Sequence, residues 1–228
     1  MAIKCSCEEC DLKDLFFQNV STYEMMSLCE SRVEKVYKKG EYILEQGKFI
    51  EEFIYLKSGL VKLFVVADNE KEQILAFAKP FDFVSLLSVF SDKEYSYSVM
   101  AVEESVTCNI AINDVKRLIR ENGKFSMGIL EKMSQVSNNV IQESLAIRRR
   151  NLRGRVAYVL MHFSDDIYKS ASFELPISRK EIAEYIGMTT ENVIRALTEF
   201  RKDSVIKIFG KVIEIVDYDK LSQISEHG

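Results

Sequence analysis

The stretch ISRKEIAEYIGMTTENVIRALTEFRKDSVIKIFGKVIEIVD, Ile177 to Asp217, constrains the fold more than any other part of this chain. Ser178 stands where a helix N-cap belongs, with Glu181 three residues on, so each can satisfy an orphan backbone N–H of the first turn. Ile177 and Ile182 are spaced to close over that start as a hydrophobic staple. Gly187 falls where the helix must turn through left-handed backbone, and Thr189 opens a second helix. Two short helices joined by a glycine-containing turn form a helix-turn-helix. In the second helix Val193, Ala196, Leu197 and Phe200 share one side and are expected to be buried. Thr190, Glu191, Ile194, Arg195, Thr198 and Lys202 lie opposite. An outward face so rich in hydrogen-bonding groups near a helix N-terminus suits base edges in a major groove. The segment VIKIFGKVIEIV then gives two short strands around Phe209-Gly210-Lys211, a wing whose Lys211 can meet a phosphate. Ser178, Arg179 and Thr189 complete the expected DNA-binding set.

Upstream the period changes. STYEMMSLCESRVEKVY opens with Ser21 and places Glu24 three residues on, a capping-box start for a short helix. From Lys38 to Val84 short apolar or alternating segments are punctuated by Gly40, Gly47, Gly59, Asp68-Asn69 and Pro80, roughly every ten residues. Further strands fall in YSYSVMAVEESVTCNIAI, and NDVKRLIREN reads as an amphipathic helix begun by Asn113. That rhythm predicts an antiparallel jelly roll, a double-stranded β-helix, and hence an α+β chain. A helix without proline follows from about Phe125 to Arg150. Ile129, Met133, Val136, Val140 and Ile147 recur along it at heptad spacing, with Glu143 interrupting the stripe. The stripe is either one face of a core helix or a dimer seam, and the helix's length and place between two domains favour the seam. VAYVLMHFSDDI and FELPI add a helix and a strand before the helix-turn-helix. The expected divisions are residues 1–20, a cysteine-containing tail; 21–124, a sensor barrel; 125–150, the dimerisation helix; and 151–228, the winged helix-turn-helix.

Composition removes other classes. Apolar runs such as Leu63–Val66 are far too short to span a membrane, and the first residues carry a Lys with no apolar signal region. Five cysteines, an odd count, argue for reduced thiols in the cytoplasm. A jelly roll can also be a metal-dependent enzyme, but that needs several barrel histidines. This chain has only His162 and His227, both outside the barrel, so no enzyme is expected. From Arg148 onward 14 Lys and Arg stand against 12 Asp and Glu, while the remainder holds 17 against 23. The five arginines of RRRNLRGR, Arg148 to Arg155, are either a nucleic-acid contact or a solvated helix junction.

This order of barrel, long helix and winged helix-turn-helix resembles the CRP/FNR family of bacterial transcription regulators over nearly the whole chain. KKGEYILEQG, YLKSGLVKLF and ISRKEIAEYIGMTTENVIRALTEF carry the likeness. The resemblance implies a homodimer on double-stranded operator DNA, with RNA polymerase as a partner. It also implies that Glu191 and Arg195 read the operator, chemistry that suits cytosine N4 and the O6 and N7 of guanine. Where the FNR branch has Ser before that Arg, this chain has Ile194, which puts the usual half-site in doubt. The cyclic-nucleotide branch marks its ligand site with Gly-Glu and a later Arg. Here Ser85-Leu86 replaces the pair and no Arg occurs from Phe81 to Lys116, which argues against cyclic AMP, because a buried phosphate needs a cation.

FNR-like sensors hold a [4Fe–4S] cluster with three N-terminal cysteines and one distant barrel cysteine. Cys7 and Cys10 match the first two positions of that branch's tail motif, the third falls on Phe16, and Cys5 restores the count. Cys108, in EESVTCNIAI, falls at the distant position. The resemblance thus implies Cys5, Cys7, Cys10 and Cys108 as cluster ligands. A zinc site on the same thiolates, reversible thiol oxidation, or a tail without a ligand stay open, as does a regulator sensing an unknown small ligand in the barrel. Cys29 lies in the first helix pattern and is expected to be a small buried hydrophobe.

Overall fold

Residues 20–67 and 71–227 are described by the computed structural model, and they fall into two units. One takes the chain up to Val65 together with Ala76–Val140; the other takes Val66–Leu75 and everything from Ile141 onward. The division between the two units falls inside the long helix, after Val140.

The first unit opens on α1 (Thr22–Glu30), and its capping box is formed. The Ser21 N–H donates to Glu24 Oε2 at 2.7 Å and the Glu24 N–H donates to Ser21 Oγ at 3.3 Å. Seven strands follow in chain order, with Val66 of β4 and Glu72–Leu75 of β5 counted in the other unit: β1 (Val33–Tyr37), β2 (Tyr42–Leu44), β3 (Glu52–Ser58), β4 (Val61–Val66), β5 (Glu72–Ala78), β6 (Ser98–Ala101) and β7 (Ser105–Ala111). They form two sheets, ordered β1-β7-β3 and β2-β6-β4-β5. The β3–β4 turn needs Gly59 for two reasons. Its φ is +90, and a Cβ there would lie 2.3 Å from Ser105 Oγ and 2.4 Å from the Glu104 carbonyl oxygen. In the antiparallel register Phe53 pairs with Ile110 and Tyr55 with Cys108, so these four side chains share one face of the sheet. Over that face lie Leu28 of α1, Val115 and Leu118 of α2 (Ile112–Glu121), and Phe125 and Ile129 of α3 (Gly123–Arg148), in one apolar cluster. α2 starts one residue before the expected Asn113, because the Ile112 N–H is taken by the Glu51 carbonyl oxygen and no side-chain cap is used.

The structure places the residues of the expected dimer seam as follows. Ile129 is 3% exposed and Met133 and Val136 pack against the same barrel cluster, while Ile147 is buried in the second unit. Val140, the remaining member, is half-buried. The first three members of the stripe therefore pack on this chain's own barrel cluster. Met127, Leu130, Ile141 and Leu145 are exposed instead, and at roughly 100° per residue they form a second stripe about a third of a turn round the helix from the first. α3 is apolar on two faces, and periodicity alone does not say which face the chain itself covers.

In the second unit α4 (Leu152–His162) is capped by Asn151, whose Oδ1 accepts from the Gly154 N–H at 3.0 Å, and runs on through a π-helical turn, Phe163–Tyr168. Then come β8 (Ser172–Glu174), α5 (Arg179–Ile186), α6 (Thr190–Lys202), β9 (Ile206–Phe209), β10 (Val212–Ile215) and α7 (Tyr218–His227), with strand order β8-β10-β9. Val156, Leu160, Phe163, Ile182, Phe200 and Leu221 are wholly buried at its centre. The arginine cluster serves this packing. The Arg150 guanidinium lies 4.6 Å from the Tyr158 ring centre, and its Nε donates to Ser225 Oγ at 3.0 Å. Arg153 pairs with Glu199 and Asp203 at 3.4 and 3.5 Å, and Arg155 Nη1 donates to the Ile186 carbonyl oxygen at 3.1 Å. No helix among the described residues is long and apolar enough to cross a membrane.

Candidate nucleic-acid interface

Each end of the helix-turn-helix is fixed by a local device. The Ser178 N–H donates to Glu181 Oε2 at 2.8 Å and the Glu181 N–H donates to Ser178 Oγ at 3.1 Å, so the box closes both ways. Ile177 and Ile182 are both buried, as the staple requires. α5 ends at Gly187 in left-handed backbone, φ 65, and the Met188 N–H donates to the Ala183 carbonyl oxygen. Thr189 Oγ1 then accepts from the Asn192 N–H at 3.3 Å and caps α6. With Val193, Ala196, Leu197 and Phe200 all buried, the rotation of α6 is set, and Glu191, Ile194 and Arg195 stand exposed.

The chemistry of that face is mixed. The Glu191 carboxyl is held below its ordinary value by its own backbone N–H and the Thr189 hydroxyl, so it presents an ionised acceptor at neutral pH. Arg195 Nη2 donates to Asn192 Oδ1 at 2.8 Å, which steadies the guanidinium on the helix surface. The Thr198 hydroxyl turns back and donates to the Ile194 carbonyl oxygen at 2.8 Å. Thr190 and Thr198 are half-buried on the edge of the same face. Arg179, in the first turn of α5, is half-buried, and burial lowers its pKa, yet an arginine stays charged at neutral pH. On the wing, Gly210 at φ 63 reverses the chain between β9 and β10, and the Lys211 carbonyl oxygen accepts from the Leu175 N–H at 3.0 Å. That anchors the backbone while the Lys211 side chain stays exposed. Thr190, Glu191, Ile194, Arg195 and Thr198 are thus gathered on α6. Ser178 and Thr189 use their side chains as caps, and Lys211 stands on the separate wing.

One polar cluster of this unit is absent from the sequence reading. Glu143, the interruption in the heptad stripe, accepts a hydrogen bond from the Tyr185 hydroxyl, and His162 Nε2 lies 3.5 Å from the same carboxyl. His162 Nδ1 lies 3.0 Å from Asp166 Oδ2. Burial pushes the Glu143 carboxyl above its ordinary value, against the pull of His162 and the Tyr185 hydroxyl. Burial also pushes Tyr185 well up, and Glu143 beside it adds to the shift. The one signal for this cluster in the sequence is a charged residue at an apolar position of α3.

On the sensor side, Cys5, Cys7 and Cys10 lie outside the described residues, as does the side chain of Cys29. Cys108 is 0% exposed, on β7, within the cluster that holds Phe53, Tyr55 and Phe83. Val20, where the described chain begins, packs against that same cluster. Among the described residues no group of three or more His, Cys, Asp or Glu is placed to hold a metal ion. Ser85 and Leu86, which replace a ribose-binding pair, are both built into the fold. Ser85 Oγ accepts from the Ile54 N–H at 2.9 Å, and Leu86 is 0% exposed in the core cluster.

Residues 34–122 match the family described as cyclic nucleotide-binding domain, and residues 154–224 match the Crp-like helix-turn-helix domain. The chain is 27% identical over 225 residues to the transcriptional activator protein anr of Pseudomonas aeruginosa, an alignment covering 96% of this chain and 92% of that protein. It is 25% identical over 226 residues to the fumarate and nitrate reduction regulatory protein of Vibrio cholerae, covering 96% and 90%. Among solved structures, FixK2 from Bradyrhizobium japonicum superposes with a TM-score of 0.76 at 20% identity, covering 86% of this chain and 98% of FixK2. That last likeness is one of fold.

Proposed function

A chain with these two matched domains belongs to the CRP/FNR family of transcription regulators, and from that premise we propose that this DNA-binding regulator is a homodimer switched by redox state, oxygen or nitric oxide through a cysteine-ligated iron–sulfur cluster. The observation that carries the DNA reading is the exposed face of α6, where Glu191 and Arg195 stand on a helix fixed by Thr189. Arg195 takes guanine O6 and N7, Glu191 accepts from cytosine N4, and Lys211 on the wing meets a phosphate. The dimer reading rests on the exposed stripe Met127, Leu130, Ile141 and Leu145, which a second copy of α3 would cover about a two-fold axis.

The sensing arm is supported by Cys108 and Val20 sharing one apolar layer, and by a relative named for regulating fumarate and nitrate reduction. Cys5, Cys7, Cys10 and Cys108 are the four thiolates that would hold a [4Fe–4S] cluster. When bound, such a cluster supplies an iron–sulfur centre that oxidants destabilise. The chain's own part is to tie the tail to the face of β7. Phe125 and Ile129 of α3 pack in that layer, so tying or releasing the tail bears on how the dimer helix is held.

Iron and sulfide content of anaerobically purified protein, with its visible absorbance before and after air, tests the sensing arm. Cys108→Ala should lose iron loading and oxygen-dependent operator binding, and Cys29→Ala should keep both. Equal iron and sulfide in wild type and Cys108→Ala would sink the cluster and leave an unidentified barrel ligand as the effector.

A further inference from the structure

Four of the large or small apolar side chains of α6, those of Val193, Ala196, Leu197 and Phe200, are buried, and the fifth is not. Ile194 is 51% exposed. A single exposed isoleucine on a protein surface is ordinary. This one stands on the outward side of the helix, three residues after Glu191, next to Arg195 and four residues before Thr198. Its polar neighbours do not fill the space with donors. The Thr198 hydroxyl is turned back onto the Ile194 carbonyl oxygen, and Arg195 is steadied by Asn192. Beside the carboxylate of Glu191 and the guanidinium of Arg195, Ile194 therefore offers an exposed hydrocarbon side chain.

Resting on the reading of α6 as the helix that enters the major groove, we propose that Ile194 is a specificity-determining residue that packs against the C5-methyl group of a thymine. In the major groove the thymine methyl is the apolar feature of a base edge, while the other edges present donors or acceptors. A cytosine amino group or a purine edge facing Ile194 would lose water and gain no partner, so the same side chain attracts thymine and rejects its competitors. An isoleucine in a helix has essentially one χ1 rotamer, so little side-chain freedom is lost when it docks.

The test uses the full chain and a random duplex library. Selection should enrich a half-site with a thymine at one fixed offset from the guanine or cytosine that Arg195 and Glu191 contact. Replacing that thymine by deoxyuridine, which removes the methyl and nothing else, should weaken wild-type binding about fourfold, the worth of one buried methyl group. Ile194→Ser should bind the thymine and deoxyuridine duplexes equally, and Ile194→Val should keep most of the difference. Half-exposure of Ile194 in the free protein makes both variants compatible with folding. The assignment is overturned if deoxyuridine at each half-site thymine leaves wild-type affinity unchanged. It is also overturned if Ile194→Ser shows the wild-type penalty, since the methyl would then touch another residue. Failure to enrich any sequence overturns the base-reading role of α6 itself, an outcome distinct from an enriched half-site that is blind to the methyl.

Discussion

Glu191, Ile194 and Arg195 stand exposed on a helix whose start is fixed by Thr189 two residues before the first of them, whereas Cys108 is wholly enclosed on a strand paired to β1 and β3. The groups of the winged unit are placed by caps and turns within a few residues of themselves. Those around Cys108 come from α1, β3, β7, α2 and α3, spread over a hundred residues of chain. The contrast teaches that a surface site set by local devices can be changed without touching the fold. A site inside a core cannot, because each of its side chains is also packing.

The widest test of that contrast compares two adjacent residues of α3. Ile129→Glu places a charge among Phe125, Val115 and Leu118, and should cost the barrel unit about 3 kcal/mol or more. Leu130, 55% exposed, should tolerate glutamate within about 0.5 kcal/mol of monomer stability, yet Leu130→Glu should give monomers in sedimentation and lose operator binding. A Leu130→Glu dimer of full affinity would return the seam to the other face.

Glycines sharpen the same comparison. Gly59→Ala combines a left-handed backbone with overlap onto Ser105 and Glu104, and should destabilise the barrel by about 3 kcal/mol. Gly187→Ala meets no atom within 4 Å, so only the backbone penalty of about 1 kcal/mol is expected, read as the shift in urea midpoint. Equal losses at the two sites would mean that close approach at Gly59 is relieved by movement of Ser105.

Within the winged unit, Arg195→Ala should cost about 1–3 kcal/mol at one base position and relax discrimination there. Lys211→Ala should weaken all sequences alike and lower the salt slope by about 0.9. Binding-site selection and salt titration separate the two, and unchanged base preference in Arg195→Ala would mean that α6 docks differently.

The smallest effect concerns pH. The Glu143 carboxyl is raised by burial, so in the folded state its protonated form is favoured. Its stabilising contribution is complete below its unfolded value near 4.5 and is lost as pH rises through the higher folded value. Glu143→Gln, which keeps an acceptor for the Tyr185 hydroxyl, should therefore gain stability relative to wild type as pH rises through that window, by thermal denaturation. A pH-independent difference would show that Glu143 titrates as it does in the unfolded chain.

The sequence by itself determined the parts whose cause is local. Ser178 with Glu181, Gly187, Thr189 and the Phe209–Lys211 turn each act within four residues, and each is found where the pattern puts it. Gly40, Gly47 and Gly59 did the same for the barrel, since a glycine that must be left-handed marks its own position, while the expected turn at Asp68-Asn69 lies outside the described residues. Only the tertiary structure decided which of two apolar faces of α3 the chain covers with its own core, because periodicity gives the angle between faces but not their neighbours. It likewise gave Arg150, Arg153 and Arg155 partners within the chain, among them Tyr158, Ser225, Glu199, Asp203 and the end of α5, and gave Glu143 its partners Tyr185 and His162. A charged side chain looks the same in a sequence whether water or another part of the chain satisfies it; burial and distance, which exist only after folding, make the difference.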